Sequence, residues 1–125
     1  MSKANKILIV EDEQMLSNIV KAEFIFEGYK TEIAKDGNEA LILAKSFRPD
    51  AMLLDLILPK KGGLEVLKEL KEDNELKNIV VIILSNLAGD GNISKALDMG
   101  AADYFVKTQS SISEVIEKVK NCLEN

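Results

Sequence analysis

A chain of 125 residues with no histidine and a single cysteine offers no His-ligated metal site, no Ser-His-Asp triad, no Cys-His pair and no intrachain disulfide. Its formal net charge of -5 argues against generic binding to nucleic acid or to an anionic membrane, because both need a positive surface. At 46% hydrophobic and 30% charged, with no apolar run of membrane-spanning length, it reads as one soluble globular domain able to bury a core without staples. The opening MSKANK leads straight into a strand-like run rather than the apolar core of a signal peptide, so a cytoplasmic location is expected.

Short runs of β-branched residues alternate five times with longer segments of helical period, the pattern of βαβ units closing a parallel sheet. The first strand is predicted over Ile7 to Val10. A helix follows over Gln14 to Glu27, with Met15, Leu16, Ile19, Val20 and Phe26 on its apolar face and Gly28 as its stop. Phe24, Ile25 and Phe26 are consecutive and cannot all face the core; Ile25 projects among Gln14, Asn18 and Lys21 and is expected outside. Lys30 to Ala34 is the second, more polar strand. Asp36-Gly37-Asn38 turns into a helix carrying Ala40, Leu41, Leu43, Ala44 and Phe47, which Pro49 ends.

The third strand is predicted over Ala51 to Leu56, and Pro59 to Gly63 is a loop in which Lys60 and Lys61 are expected to be solvated. A helix then points Leu64, Val66, Leu67 and Leu70 inward. Ile79 to Ser85 is the fourth and most apolar strand. A short helix around Ile93 to Met99 ends at Gly100, Asp103 to Val106 is the fifth strand, and Ser111 to Leu123 is the last helix, with Cys122 as a filler or half-exposed thiol near its end. The near-continuous apolarity of strands one, three and four implies helices on both faces of a doubly wound sheet. No linker or second domain is visible in the pattern.

In an open parallel sheet, ligands bind beyond the carboxyl ends of the strands at a topological switch point. Glu11 and Asp12, Asp55, Ser85 and Lys107 all fall at such ends. Carboxylates about 4 to 6 Å apart would repel by roughly 4 kcal/mol per close pair at an effective dielectric near 20, so a cation is required. Oxygen ligands alone select a hard one, Mg²⁺, with Mn²⁺ as a substitute. Asp55 stands among apolar neighbours, where an unpaired charge is costly. A carboxylate nucleophile that forms an acyl phosphate, served by Mg²⁺, by the compact charge of Lys107 and by the hydroxyl of Ser85, accounts for the set.

The stretches ILIVEDE, AMLLDLILP, VVIILS and GAADYFVK, with EGY and DGNEAL, resemble the receiver domain of bacterial two-component response regulators, similar to the stand-alone chemotaxis-type members, over the whole chain. That resemblance implies a flavodoxin-like sheet in the order 2-1-3-4-5. It implies phosphorylation at Asp55, with Mg²⁺ held by Glu11, Asp12, Asp55 and the backbone carbonyl of Ile57. Ser85, Lys107 and Tyr104 would sense the phosphate, with Ser85 moving to the phosphoryl group and Tyr104 swinging inward, which alters the surface of the last two helices and fifth strand. The implied partners are a histidine kinase or histidine phosphotransfer protein and a protein effector, in a monomer or a weak phosphorylation-dependent dimer without an output domain. Catalysis beyond self-phosphorylation and slow dephosphorylation is not expected.

Three features depart from the family pattern. Thr108 follows Lys107 where proline is usual, and because a cis bond without proline costs about 3 kcal/mol, a trans or a strained bond is expected. Ile57 and Leu87 are apolar two residues beyond Asp55 and Ser85, where fast-hydrolysing members carry polar groups, which implies a long-lived phosphate; Asn86 narrows the entry or faces solvent. Two other functions stand beside this one: a pseudo-receiver that never takes phosphate, and a small aspartyl-phosphate phosphatase. The second usually has its nucleophile on the first strand and a capping insertion, neither of which is found here.

Overall fold

Ten elements alternate from strand to helix in the computed structural model, which describes residues 5–87 and 89–124. They are β1 (Lys6–Val10), α1 (Gln14–Phe26), β2 (Lys30–Ala34), α2 (Gly37–Phe47), β3 (Ala51–Leu54), α3 (Gly63–Glu72), β4 (Val80–Ser85), α4 (Asp90–Asp98), β5 (Asp103–Val106) and α5 (Ile112–Glu124). All strands are parallel, in the order β2-β1-β3-β4-β5. Val10 pairs with Ala34 and Leu54, and Ser85 with Val106, so the carboxyl ends of β1, β3, β4 and β5 share one edge.

Period-two alternation sends each central strand's side chains to two cores. Leu8, Val10, Met52, Leu54, Val81 and Ile83 meet α2, α3 and α4 through Ala40, Ala44, Val66, Leu67, Leu70 and Ala96. Ile7, Ile9, Leu53 and Ile82 meet α1 and α5 through Val20, Phe24, Val115, Ile116 and Val119. Fully burying a residue of this size is worth about 1.5–3 kcal/mol, which is why the apolar strands occupy the centre of the sheet. Among the described residues no helix is long and apolar enough to cross a membrane.

The face of α1 differs from the predicted one. Met15, Ile19 and Phe26 are exposed, the last at 85%, and the buried positions are Ser17, Val20 and Phe24, with Leu16 half-buried. The helix is apolar on two opposite faces, and its ending chooses between them. Gly28, at φ 97°, donates to the carbonyl of Ile25, and Tyr29 to that of Phe24, a Schellman ending. That ending seats the Tyr29 ring edge-on against Phe24 with centroids 5.6 Å apart, which turns Phe24 inward and Phe26 to solvent. Ile25 is exposed as its projection requires.

Other differences are smaller. β3 stops at Leu54, two residues early: Asp55 still donates its amide to Val10, but its side chain then turns the chain by accepting from the amide of Ile57. α4 starts at Asp90, since the amides of Asn92 and Ile93 both find the carbonyl of Gly89. α5 starts one residue late because Ser111 is its cap, exchanging hydrogen bonds with Glu114 in a capping box. Lys61 is not a solvated loop residue; it is half-buried and ion-paired to Glu69, while Lys60, at φ 68°, lies 3.7 Å from Asp36.

Candidate functional site

The four strand ends gather the acidic and basic residues that the sequence spreads over almost a hundred positions. Glu11 continues β1 by donating its amide to the carbonyl of Ala34, and its side chain is buried. Its Oε2 accepts from the amide of Glu13 at 3.0 Å, which bends the loop and leaves Asp12 exposed at the mouth. Asp55 is 5% exposed; its Oδ1 accepts from Ile57 N–H at 3.1 Å and its Oδ2 from Lys107 at 2.9 Å. Lys107 continues β5 by donating its amide to the carbonyl of Ser85, and its Nζ also lies 2.6 Å from Glu11 Oε1. One ammonium therefore bridges two buried carboxylates.

Glu11, Asp12 and Asp55 each offer a carboxylate oxygen, and the three oxygens lie within 4.8 Å of one another. Burial raises the pKa of Glu11 above its ordinary value, against the opposing hydrogen bonds from Lys107 and the Glu13 amide. Burial by itself would lower Lys107, but its hydrogen bonds to Glu11 and Asp55 and their charges together hold it above the usual lysine value. The cleft thus has more negative charge than its lysine balances, carried entirely on oxygen. That donor set fits a hard divalent cation and offers nothing to a soft one.

Ser85 is fully buried, and its Oγ accepts from the amide of Leu87 at 3.4 Å, a long and weak bond. Tyr104 is 9% exposed, inside the core that holds Ile83 and Ala96, and its hydroxyl donates to the carbonyl of Leu87 at 2.6 Å. Its ring stands inward, packed within that core. The reason is local: that carbonyl and the core satisfy both ends of the phenol at once. Burial first, then the charge of Asp55, raises the tyrosine's pKa. No described peptide bond is cis, so Lys107–Thr108 is trans. Ile57, 56% exposed, and Leu87 are exposed apolar residues on the loops after β3 and β4, and Asn86 is exposed beside Leu87.

Two contacts here had no counterpart in the sequence reading. The Ile57 amide holds the Asp55 carboxylate, where only the Ile57 carbonyl was expected to matter. Leu87 joins Ser85 to Tyr104 through its two backbone groups. Backbone donors and acceptors carry no residue signature, so side-chain types could not announce either one.

Fold and site together define an α/β domain whose acidic, lysine-bridged cleft lies at the switch point of a doubly wound sheet. A family model of the response regulator receiver domain matches residues 7–120, and the chain belongs to that family. It is 35% identical over 117 residues to the polar-differentiation response regulator DivK of Brucella anthropi, with 94% of each chain covered. A CheY-like response regulator receiver domain protein from Methanospirillum hungatei superposes with a TM-score of 0.90 at 28% identity, over 98% of this chain and 95% of that one. The Mn²⁺-bound form of response regulator Rcp1 superposes at 0.79 with 27% identity, over 94% and 90%.

Proposed function

We propose that this receiver domain accepts a phosphoryl group on Asp55 from a histidine kinase or phosphotransfer protein and signals by protein contacts through α4, β5 and α5. The observation that carries it is the buried Asp55 carboxylate, held by Lys107 and the Ile57 amide within reach of Glu11 and Asp12. Having no histidine, the chain must take its phosphate from a small donor or another protein.

An Asp55 carboxylate oxygen attacks phosphorus, the bond from phosphorus to the donor's imidazole nitrogen breaks, and the imidazole leaves with the electron pair and takes up a proton. Glu11, Asp12, Asp55 and the Ile57 carbonyl would hold Mg²⁺ or Mn²⁺, which supplies positive charge to the phosphoryl oxygens; the manganese in Rcp1 supports this for the fold. Lys107 transfers its hydrogen bond from Asp55 to a phosphoryl oxygen. Ser85 turns its hydroxyl towards the phosphate and gives up the weak bond from Leu87. Leu87 is also the anchor of the Tyr104 hydroxyl, so the loop after β4 and the tyrosine respond together.

The test is intact mass after incubation with Mg²⁺ and a small acyl or amido phosphate donor. The chain gains one phosphoryl group, and Asp55→Asn gains none. An unchanged mass for the unmodified chain makes it a non-phosphorylated interaction module.

A further inference from the structure

Gly63 opens α3 with φ outside the left-handed region, where alanine would serve the helix better than glycine. Its missing side chain answers to space instead. A Cβ there would lie 2.3 Å from the carbonyl oxygen of Asp55 and 2.6 Å from the Cα of Leu56, and the Gly63 amide donates to the carbonyl of Leu56. Across the loop, Gly37 opens α2, and a Cβ on it would lie 2.1 Å from the carbonyl oxygen of Lys61. At both glycines the nearest obstacle is backbone, which cannot rotate aside as a side chain can. Gly62, the neighbour of Gly63 in sequence, has nothing nearer than 3.8 Å.

The loop from Leu56 to Gly62 is therefore gripped at both ends by helix starts that approach to backbone contact. Lys60 near Asp36 and Lys61 on Glu69 add side-chain contacts at its second end. We propose that Gly63 and Gly37 are positioning residues, which keep the segment bearing Asp55 and Ile57 in register with Glu11 and Asp12. The proposal rests on the phospho-acceptor reading of Asp55. Opening the Gly63 contact from 2.3 Å to an ordinary 3.4 Å moves the Asp55 backbone by about 1 Å. A misplacement of that size costs on the order of 10²-fold in a reaction that depends on alignment.

The experiment compares Gly63→Ala and Gly37→Ala with Gly62→Ala, which adds the same methyl in open space, and with Val66→Ala, which destabilises α3 from its buried face. Four quantities are read on the whole chain: Mn²⁺ affinity, the initial rate of phosphorylation from a small donor, the urea midpoint, and the metal-free amide resonance of Ile57. Gly63→Ala and Gly37→Ala are expected to lose at least about 10-fold in rate, to bind Mn²⁺ several-fold more weakly, and to shift the Ile57 resonance. Gly62→Ala stays within twofold on each reading, and Val66→Ala lowers the midpoint while keeping metal affinity and rate. A folded Gly63→Ala or Gly37→Ala within twofold of the parent overturns the proposal. So does an equal loss in Val66→Ala, or failure of both glycine variants to fold. If the parent takes no phosphate, the acceptor reading fails by itself, and the Mn²⁺ and Ile57 readings still judge the glycines.

Discussion

Lys107→Met keeps the aliphatic stem of the bridging residue and removes its charge. In the parent the ammonium lies 2.6 Å from Glu11 and 2.9 Å from Asp55, and the three side chains are only 14%, 5% and 6% exposed. Deleting one partner of such a buried group typically costs about 3–5 kcal/mol, because the remaining charges are left uncompensated. Asp12 is exposed at the mouth of the cleft, where solvent screens the remaining charges, so the lower figure applies. With an unfolding entropy near 2.1 cal/mol/K per residue, a loss of about 3 kcal/mol lowers the midpoint of this 125-residue chain by about 10 °C. Thermal unfolding followed by circular dichroism in EDTA measures it.

Magnesium supplies the second half of the prediction. A divalent ion and the lysine ammonium compete for the same carboxylate oxygens, so the variant binds Mg²⁺ more tightly than the parent. A tenfold gain in affinity returns about 1.4 kcal/mol at saturating metal. The stability deficit should therefore be largest in EDTA and close by roughly half in excess Mg²⁺. A variant as stable as the parent in EDTA, or a deficit indifferent to Mg²⁺, would refute the bridge as the charge balance of the cleft.

Three other outcomes are expected. Tyr104 has a folded pKa raised above 10.0, so its contribution to stability is complete below that value and is lost as pH rises through the folded one; Asp55→Asn should bring its phenolate absorbance to lower pH while leaving Tyr29 in place. Phe24→Ala should lower the urea-derived stability by about 3–5 kcal/mol, whereas Phe26→Ala, with its ring in solvent, should change it by no more than about 0.5 kcal/mol. If the apolar Ile57 slows attack by water, phosphorylated parent should keep its label far beyond seconds without a phosphatase, and Ile57→Asn should shorten that lifetime; equal lifetimes would remove Ile57 from this role.

The sheet was legible because each central strand is apolar on both faces, a pattern that only burial between two helical layers explains. Its order, 2-1-3-4-5, came with the receiver resemblance, and the paired registers agree with it. The face of α1 was misread because Met15, Ile19 and Phe26 make as good an apolar stripe as Val20 and Phe24 do. The deciding signal was nevertheless present: Gly28 as the residue after the cap implies a contact between Tyr29 and Phe24, and so fixes the rotation of the helix. β3 reads two residues too long because Asp55 and Leu56 are buried like the strand before them, and only the bond from the Ile57 amide shows where the chain turns.

Residue types alone determined that acids, a hydroxyl and a lysine fall at the carboxyl ends of strands in one parallel sheet, since strand periodicity and the rule for ligand placement are local and topological; which of those strands are neighbours came with the resemblance. Tertiary structure decided what those residues do to one another: that Lys107 bridges Glu11 and Asp55, that Leu87 links Ser85 to Tyr104, and that Gly63 lies against the Asp55 carbonyl. Each depends on distances of a few ångströms between segments far apart in the chain, set by packing against both faces of the sheet, and no spacing along the sequence encodes them.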